Sequence, residues 1–179
     1  YLPACVVSVR AKRGVNWEHL LIDNGSTDGT TEYLRIARAE DARLRVIRLP
    51  ENHGGGKGMF VAGPEASGRY VAFIDGDDLM EPDRLARQGQ WMGAHPNFLG
   101  VYADARAIDE DGRILAERVF AARSEAALRR FAEFSMPGCH STGLMKTEAF
   151  QAAACHGTFR RASDLDLLGR VLERGRVGF

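Results

Sequence analysis

The chain has 179 residues, 45% of them hydrophobic, with 24 lysine plus arginine against 24 aspartate plus glutamate, enough for one domain with a sizeable core. A formal net charge of zero gives no global basic field to recruit nucleic acid, so local sites must carry the function. Cys5, Cys139 and Cys155 are too few and too scattered for a disulfide framework or a zinc knuckle, and read as reduced thiols of a cytoplasmic protein. No signal peptide or membrane-spanning apolar stretch is legible, and peripheral association with the inner face of a membrane stays open.

In chain order, Ala4 to Val9 is a short apolar run that predicts a strand. Trp17 to Ile22 predicts a second, ending in the turn Asp23-Asn24-Gly25-Ser26-Thr27-Asp28-Gly29. The connection Arg10 to Asn16 is polar, basic and shorter than the roughly dozen residues that join parallel strands, which points to an omission in the sequence there. Thr31 to Ala42 reads as an amphipathic helix with Leu34 and Ala37 inward, and Leu44 to Leu49 as a strand. Pro50 to Gly58 reads as a glycine-rich loop, Met59 to Ala66 as a weak helix, and Tyr70 onward as a strand. Pro82 to Ala94 predicts a helix and Leu99 to Ala107 a strand. Asp109-Glu110-Asp111-Gly112 turns into a hairpin partner at Arg113 to Val119. Ser124 to Phe134 reads as a helix, Met136 to Leu144 as loop then strand, and Asp164 to Arg174 as a helix. This alternation predicts a three-layer α/β/α sandwich with a mixed, mainly parallel sheet. The chain divides into a ligand-binding half, 1–107, and a second half, 108–179, that reads as incomplete.

The chemistry concentrates where Tyr70-Val71-Ala72-Phe73-Ile74 stops at Asp75-Gly76-Asp77-Asp78. Ligands bind at the carboxyl ends of strands buried in a parallel sheet. In an extended segment residues two apart project the same way, so Asp75 and Asp77 can converge on one hard cation, magnesium or manganese. Such a cation keeps part of its shell for water and phosphate oxygens, which implies a phosphate-bearing substrate. The competing reading is an aspartate-rich turn that caps the following helix. Gly54-Gly55-Gly56-Lys57-Gly58 could bring backbone amides and one ammonium to phosphate, yet it lacks the spacing and the serine or threonine of a P-loop.

The stretches WEHLLIDNGSTDGT, PENHGGGKG and GRYVAFIDGDDLMEPDRL, followed by ASDLDLLGRVLERG, resemble the family 2 glycosyltransferases, inverting enzymes with the A-type nucleotide-diphospho-sugar (GT-A) fold. That resemblance implies that Asp75 and Asp77 are the metal-binding DXD pair, with Asp77 the direct ligand, and that Asp78 is a turn or helix cap. It implies that Asp23 and Asn24, with Ser26 in the same turn, read the nucleobase and ribose. Asp75, Lys57 and Asp104 are the remaining candidates for nucleotide-sugar contact. It further implies that Asp164 is the catalytic base, although Ser163 stands where the family often has an acidic residue. Weak candidates are Ser8 and Arg10, near the first predicted strand, and His140, in the acceptor-side loop. Trp17 and Trp91 fit packing better than sugar stacking.

The implied partners are a nucleoside diphosphate sugar, uridine diphosphate favoured, and a glycan or lipid-linked hydroxyl acceptor. The implied activity is hexosyl or acetamido-hexosyl transfer in cell-surface polysaccharide or glycolipid synthesis. A sugar-phosphate nucleotidyltransferase and a non-catalytic nucleotide-sugar-binding module are the alternatives.

Overall fold

A computed structural model describes residues 1–117, 140–154 and 163–179. The helix expected at Ser124 to Phe134 lies outside the described residues. Two of the other expectations are overturned. Leu2–Arg10 is a helix, α1, with proline in its first turn, where the missing amide costs nothing. The run predicted as a strand is therefore helical, and the segment from Ala11 to the next strand is an ordinary helix-to-strand connection. No omission is needed to explain it.

β1 (His19–Asp23) is followed by α2 (Thr30–Glu40) and β2 (Leu44–Arg48). β1 and β2 pair in parallel, from His19 opposite Leu44 to Asp23 opposite Arg48, with α2 as the crossover that parallel pairing requires. Val6 of α1, Leu21, Leu34, Ala37 and Leu44 form the core of this unit. Leu34 and Ala37 face inward as their three-residue spacing demands.

The second overturned expectation is the glycine-rich loop, because Gly55–Ala62 is a helix, α3. Gly58 explains why a glycine sits there: a Cβ would stand 3.0 Å from Ile22 Cγ2, so the helix rests directly on β1. A short 3-10 turn, Gly63–Glu65, follows.

The larger sheet holds β3 (Tyr70–Ala72), β4 (Phe98–Val101), β7 (Leu144–Lys146) and β8 (Arg176–Gly178) in the order β3-β7-β4-β8. β7 runs against β3 and β4, while β8 runs with β4. Three of the four strands thus point the same way. The strand expected over Leu99 to Ala107 is split, since β4 ends at Val101 and β5 (Ala107–Ile108) pairs instead with β6 (Ile114–Ala116) across the Asp109–Gly112 turn.

α4 (Arg84–Ala94), α5 (Thr147–Ala154) and α6 (Ser163–Arg174) complete the described elements. α5 and β8 escaped sequence reading. α6 buries Leu167, Leu168, Val171 and Leu172 against Phe73, Tyr102, Met145, Phe150 and Val177, an i, i+1, i+4, i+5 stripe on one helix face. Both tryptophans pack: Trp91 lies against Gly178, where a Cβ would come within 2.4 Å of it, and Trp17 carries the Arg43 guanidinium 3.8 Å over its ring.

The His19 ring, with Nδ1 buried and lacking a hydrogen-bond partner, is pushed by burial from the ordinary 6.5 down to about 4. The unfolded chain therefore binds the extra proton first, and stability falls as pH drops from about 6.5 towards 4. The difference corresponds to at most about 3 kcal/mol. Urea denaturation at pH 7 and pH 4.5 should show a smaller acid loss in His19→Leu than in the wild type; equal losses would assign the acid sensitivity to other groups.

Candidate functional site

The site is built where β1, β3 and β4 end. The Asp23 carboxylate, 1% exposed, accepts the Ser26 amide at 2.8 Å and the Thr31 hydroxyl at 2.6 Å, with Arg48 Nε 3.7 Å away. Burial acts to raise its pKa, but those hydrogen bonds and Arg48 outweigh burial and hold it below the usual carboxylate range. Asp23 thereby fixes the turn in which Ser26 sits half-buried.

Asn24 ties that turn to the next loop. Its amide nitrogen donates to Gly54 O at 3.0 Å and its oxygen accepts the His53 amide at 3.1 Å. Gly25 has φ +71°, and a Cβ there would stand 2.5 Å from the Glu51 carbonyl carbon. Only glycine fits both the backbone and the gap. Lys57 lies in the first turn of α3.

Asp75 and Asp77 are exposed and Asp78 is half-buried. The Asp75 amide donates to the Ser141 hydroxyl at 2.8 Å, and the Asp78 amide to Asp75 O at 3.1 Å. Buried Cys5 reports the local field: burial first, then Asp78, Asp77 and Asp75, push its thiol up to about 11. Among the described residues neither Asp75 nor Asp77 places its carboxylate in an ion pair. Among the described residues no group of three or more His, Cys, Asp or Glu side chains is arranged to hold a metal ion; Asp75 and Asp77 alone offer two solvent-facing oxygen donors of the kind a magnesium- or manganese-type cation takes.

His140 opens a short 3-10 turn, His140–Thr142. Its ring lies 4.2 Å from the Phe73 ring, centroid to centroid, and its buried Nδ1 has no hydrogen-bond partner. Burial lowers its pKa, Asp75 and Asp164 act to raise it, and Arg84 lowers it further. Asp164 is half-buried in the first turn of α6, where its Oδ1 accepts the Leu165 amide at 2.9 Å. It also reinforces the upward shift that burial imposes on the Tyr102 hydroxyl. Asp75 and Asp164, from separate regions of sequence, thus both act electrostatically on the His140 ring, and Asp75 is also tied to the His140 turn through Ser141. Asp166 instead pairs with Arg170 at 2.9 Å.

The remaining predicted residues are Asp104, Arg10 and Ser8. Asp104 is exposed between β4 and β5. Arg10 donates to Ala37 O at 2.7 Å and to Glu40 at 3.2 Å. Ser8 donates to Cys5 O at 2.7 Å and accepts the Met80 amide at 3.0 Å. Placing Ser8 and Arg10 on a helix removes the strand-end geometry that made them nucleotide candidates. Arg84 and Ser141 were missed by sequence reading; each bonds main chain distant in sequence, which no local motif announces.

The fold is that of the A-type nucleotide-diphospho-sugar glycosyltransferases. S. aureus TarS in complex with UDP-GlcNAc superposes with a TM-score of 0.78 at 20% identity, covering 99% of this chain and 51% of that one. The mannosyltransferase PcManGT from Pyrobaculum calidifontis, in complex with GDP-Man and Mn2+, superposes at 0.69 with 18% identity, covering 99% of this chain and 50% of that one. The chain belongs to glycosyl transferase family 2, whose sequence profile matches residues 1–160. The putative glycosyltransferase EpsE of Bacillus subtilis is 30% identical over 185 residues, spanning 99% of this chain and 64% of that protein. The putative teichuronic acid biosynthesis glycosyltransferase TuaG, also of Bacillus subtilis, is 38% identical over 92 residues, 51% of this chain and 36% of that protein. The chain therefore spans less than two thirds of the length of these relatives.

Gly25→Ala forces a left-handed backbone on alanine and drives its Cβ into the Glu51 main chain. We expect a loss of about 3 kcal/mol in urea unfolding; a loss below about 0.5 kcal/mol would show that the 50–54 loop moves aside freely.

Proposed function

We propose that this chain carries out inverting sugar transfer from a nucleoside diphosphate sugar to a hydroxyl acceptor in cell-surface polysaccharide or glycolipid synthesis. The observation that carries the reading is that the acidic loop is tied, through the Asp75 amide and the Ser141 hydroxyl at 2.8 Å, to the turn that opens with His140, whose buried ring also feels the Asp164 charge. In this reading the loop of Asp75 and Asp77 and the helix start at Asp164 face one centre. Family membership and the resemblance to a putative teichuronic acid biosynthesis glycosyltransferase support the substrate class.

In this reading Asp77 and Asp75 hold a divalent cation, which when bound supplies positive charge against the departing diphosphate. The Asn24 turn and the start of α3 border the nucleotide, uridine diphosphate favoured, with Lys57 close to its phosphates. Asp164 accepts the proton of the acceptor hydroxyl. The acceptor oxygen then bonds to the anomeric carbon from the face opposite the diphosphate. The bond from that carbon to the diphosphate oxygen breaks, its electron pair leaves with the diphosphate, and the configuration inverts. His140 lines the acceptor side. Among the described residues no helix is long and apolar enough to cross a membrane, and a lipid-linked acceptor would bring the reaction to the cytoplasmic face of one.

Asp77→Ala should abolish Mn2+-dependent UDP binding in titration calorimetry. Asp164→Asn should keep that binding and lower transfer by a factor of about 10² to 10⁴. Transfer at the wild-type rate by Asp164→Asn would remove the base assignment. Pyrophosphate formation from a nucleoside triphosphate and a sugar phosphate would favour a nucleotidyltransferase, and donor binding without turnover a binding module.

A further inference from the structure

The acidic loop 75–81 is held from outside itself. Its one described internal main-chain bond runs from the Asp78 amide to Asp75 O at 3.1 Å. Ser141 holds its start through the Asp75 amide at 2.8 Å and the Arg84 amide meets Glu81 O at its end, while one face of α1 and the turn that follows it hold the loop from the other side. Cys5, Ser8 and Lys12 are spaced three and four residues apart, so they stack along one side of a helix. Cys5 Sγ reaches Asp75 O at 3.4 Å, Ser8 Oγ accepts the Met80 amide at 3.0 Å, and Lys12 Nζ donates to Met80 O and Glu81 O, both at 2.6 Å. Leu2 lies beneath the middle of the loop, 3.5 Å from where a Cβ on Gly76 would stand.

Lys12 is the anomalous member of this set. It is 7% exposed, and its partners are two main-chain carbonyls. A sequestered ammonium is costly unless its donors are used. Arg84 nearby adds like-charge repulsion, and burial followed by Arg84 lowers the Lys12 pKa to about 8, against Glu81 and Asp83. A methylene chain alone would fill the space at less cost. What the ammonium adds is two fixed carbonyls at the far end of the loop from Asp75.

The geometry points to Lys12 as a positioning residue: with Ser8, it pins the carboxyl end of the acidic loop to α1 and so sets how Asp75 and Asp77 converge on a divalent cation. This inference rests on the proposed cation role of Asp75 and Asp77. Lys12 itself touches neither substrate nor cation.

The test combines a metal-free and a metal-bound measurement. Lys12→Met leaves the Met80 carbonyl without its ammonium donor and the Glu81 carbonyl with only the Arg84 amide, and hydrogen exchange of the 75–81 amides in the metal-free protein should quicken at least tenfold. Mn2+ affinity in the presence of UDP, followed by the electron paramagnetic resonance of free Mn2+, should weaken about tenfold. Lys12→Arg, which restores carbonyl donors, should recover most of both. Val177→Ala, a core change in β8 within a cluster that does not include α1, should lower stability yet leave both readings unchanged. Wild-type exchange and wild-type Mn2+ affinity in Lys12→Met would overturn the inference. If Lys12→Met fails to fold, Ser8→Ala carries the same expectation at the Met80 amide, with the same overturning result. If the wild type shows no Mn2+-dependent UDP binding, the cation reading itself falls, while the exchange data still decide whether α1 grips the loop.

Discussion

One guanidinium holds the centre of this molecule together. Arg84 donates to Phe73 O at 3.0 Å and to Gly143 O at 2.9 Å, while its Nε is steadied by Gln88 at 2.9 Å. Gln88 in turn donates to Thr142 O and Val101 O. The carboxyl ends of β3 and β4 and the turn that opens with His140 are thereby tied to one helix face. Charge-assisted bonds of this kind are among the stronger ones available. Without them the Asp75 amide would have no reason to lie opposite Ser141, nor the Phe73 ring to lie against His140. Arg84 thus fixes the segments after β3 and before β7 relative to each other.

The aspartates divide their labour by solvent. Asp23 is sequestered and its oxygens are spent on Ser26 and Thr31; it builds a turn. Asp75 and Asp77 face water, where a carboxylate keeps its charge cheaply and stays available to an incoming ion. Asp164 is intermediate, beside the buried Tyr102 and His140. The same side chain thus yields a structural brace, two solvent-facing carboxylates and one half-buried at a helix start, according to what surrounds it.

Much of this was legible in the sequence where local chemistry decides the outcome. The β1–α2–β2 unit and the Asp109–Gly112 hairpin turn emerged as expected, because periodicity and turn residues speak directly, whereas the apolar run before Asp75 forms a strand only over Tyr70–Ala72, half-buried at an edge of the described sheet and antiparallel to β7. α1 did not emerge as expected, because Cys-Val-Val-Ser-Val is rich in β-branched residues and its helical state comes from packing Val6 onto β1 and Cys5 and Ser8 under the acidic loop. Gly54-Gly55-Gly56 misled in the opposite sense: glycine opposes a helix intrinsically, but close contact between Gly58 and Ile22 requires a small residue there. Ser141, Arg84 and Lys12 left no trace in sequence, since each acts on main chain more than ten residues away. The role of an orphan His140 Nδ1 likewise depends on burial, which no spacing reveals.

The central strand of the larger sheet has a consequence for how this architecture can diversify. β7 enters from the same end at which β3 and β4 finish, and Val101 and Leu144 stand opposite each other in the pairing of β4 with β7. The connection 102–143 therefore leaves and returns at a single closed gate of the sheet. Loop-closure entropy grows only slowly with length, so that excursion could be lengthened, shortened or exchanged without shifting the strands at its base. The segment between β4 and β7 can thus drift in sequence and length while the loop at Asp75 stays anchored by α1 and by Arg84. Variation is confined to one side of the fold, and the strands that carry the acidic loop need not change with it.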